Sequence, residues 1–160
     1  MTNKKISHIH YAIFILLVIG AALSGLLFLH MEKAHKLSPL IQQGQTVLRV
    51  DSLQIPVTIA NTDQSRQQGL SGTPSLPPAN GMFFIFDTPS TYGFWMKDMQ
   101  YPLDMIWMDS NMNIVTITTH ATVDSYPKIF YPTAPAQYVL EVNDGFSTRH
   151  GLQVGQHFSF

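Results

Sequence analysis

The sequence predicts a mainly β (α+β) fold. We expect a small curled antiparallel sheet or barrel of about seven strands with two short helices, preceded by one transmembrane helix. Three observations lead there. Apolar residues fall in short runs bounded by turn residues rather than at helical spacing. Ten prolines and ten glycines punctuate a chain of 160 residues. Hydrophobic residues make up 45% of the chain and charged residues only 12%, which suits neither long solvated helices nor disorder.

The N-terminal part has its own character. Tyr11 to Leu29, "YAIFILLVIGAALSGLLFL", is a run of 19 residues without a charge. At about 1.5 Å per residue such a helix just crosses a hydrocarbon core of about 30 Å. Lys4 and Lys5 precede the run, and Lys33 and Lys36 come after it, so flanking charge alone does not set its direction. Its place behind a short basic leader resembles a signal anchor that exports the C-terminal domain. The run is longer than a signal-peptide core and no A-x-A site comes after it, so it reads as uncleaved.

The expected organisation is a cytoplasmic leader at 1–10, a transmembrane signal anchor at 11–29, a linker at 30–45 and an extracytoplasmic, periplasmic domain at 46–160. Gly20 with Ser24 and Ala21 with Gly25 form small-xxx-small pairs, which suit a membrane-protein partner or a homodimer through this helix. Such pairs are also common in membrane helices without any partner.

Charge and cysteine content narrow the function classes. Residues 45–160 carry five basic and nine acidic residues, a net of −4. An acidic domain without a basic stripe is a poor nucleic-acid binder, because phosphate neutralisation needs clustered Lys and Arg. The chain contains no cysteine, which excludes disulfides, thiolate metal sites and a cysteine nucleophile. Its seven histidines fall into no recognisable metal spacing. No phosphate-binding or nucleophile-elbow motif is present. No cofactor and no metal site are expected.

Within the domain, "TVLRVDSLQIPVTIA" is one strand or two short ones, with Pro56 suggesting an edge. "NTDQSRQQGL" is a short helix capped by Asn61 or Thr62 and ended by Gly69. "MFFIFD" is a buried strand, and "GFWMKD" is another. Asp98 to Pro102 form a turn that makes a hairpin with "LDMIWMD", and "SNMN" turns the chain into "IVTITTH". Residues 121–136 form a loop. "QYVLEVN" is a strand, "DGFSTRHG" a one- to two-turn helix capped by Asn143 or Asp144, and "VGQHFSF" a closing strand.

The order of these blocks is itself informative. A short helix ending "RQQGL", then "GMFFIF", then "FWMKD" with "PLDM", a hairpin, "YVLEVN" and "HGL" before the C-terminus resemble the domain-of-unknown-function family 192. These are small uncharacterised proteins, often exported or membrane-anchored. The resemblance covers Leu53 to Phe160 and implies a compact, strand-rich fold. It implies no activity. Arg66, Gly69, Leu70, Gly81, Met82, Phe94, Trp95, Met96, Lys97, Pro102, Leu103, Asp104, Glu141 and Gly145 match its pattern. Asp98 departs from the family's usual Asn.

The candidate ligand-binding residues are Arg66, Trp95, Lys97, Asp104 and Glu141. Asp104 interrupts an apolar strand, so its carboxylate needs hydrogen-bond donors or a cation. Arg66, Lys97 and backbone amides are the partners to expect. One reading is a buried pair that pins strand to helix. Another places Asp104 and Glu141 in one pocket beside Trp95, as a general acid and base or as acceptors of sugar hydroxyls. Phe94, Trp95, Tyr92 and Tyr101 would then form a stacking platform, although alternating aromatics on a strand are commonly core. Methionines 96, 99, 105, 108 and 112 suggest soft thioether ligands for Cu(I), or plastic core filling. The leading expectation is a non-catalytic binding or accessory module for a small ligand, a glycan or a membrane-protein partner. The alternatives are a cell-envelope carbohydrate hydrolase and a copper-binding protein.

Overall fold

A computed structural model describes residues 45–160. The leader, the anchor with Gly20, Ala21, Ser24 and Gly25, and all but the last residue of the linker lie outside the described residues. Among the described residues no helix is long and apolar enough to cross a membrane.

Strand β1 (Gln45–Val50) turns at Asp51 and Ser52 into β2 (Leu53–Ala60). Helix α1 (Asp63–Gln68) comes next, then β3 (Gly81–Ser90), the two-residue β4 (Phe94–Trp95), β5 (Leu103–Met108) and β6 (Ile114–Ala121). A single 3-10 turn (Val123–Ser125) leads to the two-residue β7 (Ile129–Phe130), then β8 (Ala136–Asn143) and α2 (Phe146–Arg149). Six strands form one sheet in the order β1-β2-β3-β8-β5-β6, and β4 pairs with β7 in a separate ribbon.

The sheet is mixed rather than antiparallel throughout. β2 and β3 run parallel, because α1 and the loop after it carry the chain back to the same end before β3 begins. The predicted hairpin around Pro102 does not form. β4 pairs with β7, whereas β5 is fully occupied between β6 and β8. The predicted loop at 121–136 therefore contains a strand, β7, that the prolines around it concealed.

The C-terminal residues do not form a regular strand, but they tie the two sheet edges together. Arg49 and Ser159 exchange backbone hydrogen bonds of 2.7 and 2.8 Å. On the other side, Ile114 donates to Gln156 and Phe158 donates to Met112, both at 2.9 Å. The C-terminus thus spans from β1 to the start of β6, and the sheet curls toward closure. Both free edges are covered at that end.

Helix α1 begins as its sequence demands. Thr62 and Ser65 form a reciprocal capping box, and Gly69 ends the helix at φ +50°. Helix α2 departs from expectation. Its cap is Gly145 at φ +71°, not Asn143 or Asp144, because the chain must turn sharply out of β8.

Two apolar layers sandwich the sheet. The row Ile59, Phe83, Leu140 and Ile106 runs across four strands on the inside of the curl. The opposite face carries Met82, Phe84, Val139, Leu103, Met105 and Trp107, which pack in one cluster with Leu70, Met96, Met99 and Phe130. That second layer is roofed by the turn after α1 and by the ribbon, and it holds the candidate site.

Candidate functional site

The five candidate residues separate into three positions. Asp104 is fully buried and faces Val142 across the β5–β8 pair. It lies on the inner face of the curl, in the same alternation as Ile106. Its carboxylate accepts three backbone hydrogen bonds, from His120 N at 3.1 Å, Gly145 N at 3.2 Å and Ser147 N at 2.8 Å. Neither Arg66 nor Lys97 approaches it. Asp104 is a staple that holds the end of β6 and the start of α2 against β5. Backbone amides serve here because both segments turn at that point, His120 at φ +57° and Gly145 at φ +71°, and their N–H groups have left the ladder.

Lys97 is exposed, and its carbonyl accepts from the Ser71 hydroxyl at 2.9 Å. It pins the loop after α1 to the segment after β4 through its backbone and forms no pair with Asp104.

Arg66, Trp95 and Glu141 come together. They line a cavity of about 270 Å³ between the end of α1, the outer half of β3, the Tyr92–Trp95 segment and β8. Glu141 is its acidic group. Its Cα neighbours across the sheet are Met82 on β3 and Met105 on β5, so thioethers flank it on both sides. Its residue is only 5% exposed. Among the described residues no charge or hydrogen-bond donor offsets its burial, which pushes its pKa up to about 8. Tyr101 senses it: its own pKa is raised chiefly by burial, with a smaller contribution from the Glu141 charge. The Tyr101 hydroxyl is engaged with Thr73 at 2.7 Å.

The aromatic walls are held rigidly. Phe86 and Tyr92 stack with centroids 3.6 Å apart. Phe94 meets Phe84 edge-on at 4.8 Å and Trp107 at 6.0 Å. Trp95 is half exposed and touches the Tyr126 ring edge-on at 6.2 Å. The turn at Gly69 lies so close that a Cβ there would meet the Phe84 ring at 3.4 Å. Arg66 is committed at the rim: it pairs with Asp63, donates to the Asn61 and Ile85 carbonyls at 2.9 and 2.7 Å, and covers the Phe86 ring at 5.3 Å.

The pocket predicted to hold both carboxylates therefore does not exist in that form. On β5 and β8, Asp104 and Glu141 occupy alternate positions and point to opposite faces. The methionine set is also divided. Met96, Met99 and Met105 belong to the cluster around Glu141, whereas Met108 stands on the other face of β5 and Met112 lies outside that cluster. Met82, which the sequence did not group with them, is closer in register to Glu141 than any except Met105. Sequence reasoning missed Phe84, Phe86, Met99 and the Gly69–Ser71 turn as cavity walls. The one available signal was that "RQQGL" and "GMFFIF" belong to the same ordered set of blocks as "FWMKD".

Among curated proteins, none matches the chain. Several solved structures share its fold, two of them as follows. A protein from Sinorhizobium meliloti 1021, described as a candidate transcription regulator, is 31% identical over 72% of this chain and 91% of its own, with a TM-score of 0.66. A protein of unknown function from Novosphingobium aromaticivorans DSM 12444 is 24% identical over 72% of this chain and 85% of its own, with a TM-score of 0.65. The DUF192 family model, "Uncharacterized ACR, COG1430", matches residues 46–160, the whole strand-rich domain. The chain belongs to the DUF192 family.

Proposed function

We propose that this protein is a membrane-anchored, extracytoplasmic binding module that takes a small ligand in the cavity floored by Glu141 and performs no chemistry on it. The observation that carries this reading is a nearly buried carboxyl group without a partner among the described residues, at the base of an aromatic-walled cavity. Glu141 lines the cavity, where a ligand donor would give its carboxyl group the partner that the described residues do not supply. Cavities of this kind, apolar with one convergent polar group, suit recognition of small molecules.

The strand register weakens the hydrolase reading, since its two carboxylates stand on opposite faces of the sheet. Division of the methionines between faces weakens the copper reading in the same way. The description of the Sinorhizobium protein is not carried over: nine acidic against five basic residues in 45–160 argue against a nucleic-acid partner. Gly20, Ala21, Ser24 and Gly25 would suit a homodimer or membrane-protein contact through the anchor.

The test is native mass spectrometry of the intact, detergent-solubilised protein, alone and mixed with a panel of small aromatic and aliphatic compounds. We expect one-to-one adducts that Glu141→Gln weakens. A protein that takes up no compound, or binds them equally well with Glu141 replaced, would overturn the reading.

A further inference from the structure

The cavity also restricts the chemistry of its occupant. We infer that the ligand is a small organic ammonium compound, with a compact apolar or aromatic body, whose cationic nitrogen sits on the Glu141 carboxylate. This rests on the binding reading above and names the class of ligand.

Three observations lead to it. The first is that Arg66, Gln68 and Ser71 at the rim are already engaged. Arg66 is tied to Asp63 and to two carbonyls, Gln68 donates to Ser71 O at 2.8 Å, and the Ser71 hydroxyl donates to Lys97 O at 2.9 Å. A polyol such as a sugar would bring many hydroxyls to a floor that offers a single free polar group, and most would be stranded. A ligand with one strong donor on an apolar body fits instead.

The second observation is the sign of the site. The groups facing Glu141 from the surrounding elements are Met82 from β3, Met105 from β5, Met99 and Tyr101 from the segment before β5, and Leu70 from the turn after α1. None is cationic. Arg66 is the one cation on the lining, and its charge is opposed by Asp63. A ligand cation would meet an acid without a competing counterion.

The third is the walls. Phe86, Tyr92, Phe94 and Trp95 surround the cavity, and the Phe86 ring already receives one cation, the Arg66 guanidinium. Aromatic faces attract ammonium groups and lose little by being desolvated with them. An anionic ligand would find the same ring faces repulsive and would form no ion pair with Glu141.

Binding then has a proton balance. The acid is held neutral by burial near pH 7, and the ligand arrives already protonated. Formation of the ion pair sends the Glu141 proton to solvent, so uptake of one cation releases close to one proton.

Calorimetry with the full chain in detergent tests this, using 2-phenylethylammonium, 2-phenylethanol and phenylacetate as probes. Buffers of different ionisation enthalpy report the proton count. We expect the ammonium probe to bind at least about tenfold tighter than the alcohol, with phenylacetate weakest. Proton release should approach one at about pH 7 and vanish above about pH 9. Glu141→Gln should remove the preference for the ammonium while keeping the alcohol. The proton count on the wild-type protein stands even if that variant folds poorly. Equal binding of ammonium and alcohol without proton release would overturn the ammonium inference and leave the cavity a binding site. Failure of all three probes to bind would overturn both.

Discussion

Asp104 and Glu141 lie on adjacent strands, yet their carboxyl groups face opposite sides of the sheet. Asp104 stands opposite Val142, and Glu141 opposite Met105. One acid is saturated with backbone donors and the other has none among the described residues. The two roles proposed for a carboxylate here, structural and ligand-facing, therefore belong to different residues.

Replacing Asp104 should damage stability and leave recognition intact. Asp104→Ala strands three N–H groups, one of them buried and two partly buried, so we expect a loss of about 2–4 kcal/mol. Asp104→Asn keeps one acceptor but turns a donor toward those amides, and should lose about 2–3 kcal/mol. Urea denaturation measures both. Ligand affinity of the folded fraction should be unchanged.

Glu141 should make the protein less stable as pH rises. Its folded value of about 8 lies above its ordinary 4.5. Between those values the unfolded chain has released the proton and the native chain still holds it, so stability falls with rising pH and levels off above about pH 8. Melting temperature should drop by about 5 °C or more across that window. Glu141→Gln cannot ionise, so its melting temperature should lack this contribution. A wild-type curve that rises over the same window would contradict this.

Gly81 supports the site from beneath. A Cβ there would lie 2.7 Å from Leu140 Cδ1 and 2.9 Å from the Glu141 carbonyl oxygen. The second neighbour is backbone and cannot rotate away. Gly81→Ala should cost about 1–3 kcal/mol and should also weaken ligand binding, because β8 must shift under Glu141. Chemical denaturation and calorimetry on the same variant check the two effects.

Trp95 offers the converse. It is 50% exposed, and its main aromatic neighbour is Tyr126. Trp95→Ala should move the melting temperature by less than about 3 °C while lowering affinity for an ammonium ligand by roughly threefold to tenfold. A thermal melt paired with a binding titration separates them.

Much of the fold was legible, and for physical reasons. Alternation marked β2, continuous apolar runs marked β3 and β5, and Thr62 with Gly69 marked both ends of α1. Pairing was less legible. Pro102 looks like a hairpin turn in one dimension, but the partner of Phe94–Trp95 is the distant Ile129–Phe130. A two-residue strand among prolines has no periodic signature. The need of Asp104 for donors is legible in its apolar strand, while the donors themselves, the amides of His120, Gly145 and Ser147, are a property of the folded backbone. Arg66, Trp95 and Glu141 stand out in the sequence as polar or aromatic residues within the blocks that resemble the family, and the cavity that unites them is not encoded in any one stretch. Whether Asp104 and Glu141 share a face depended on the register between β5 and β8, two strands far apart in the chain.

The most direct test of a free acid at the floor of a ligand site is carbon-13 NMR of the Glu141 side-chain carboxyl carbon, titrated with pH in the presence and absence of 2-phenylethylammonium. We expect a midpoint near 8 in the free protein, moving to lower pH as the cation binds. A midpoint near the ordinary 4.5, unmoved by a saturating cation, would contradict a buried, ligand-facing acid.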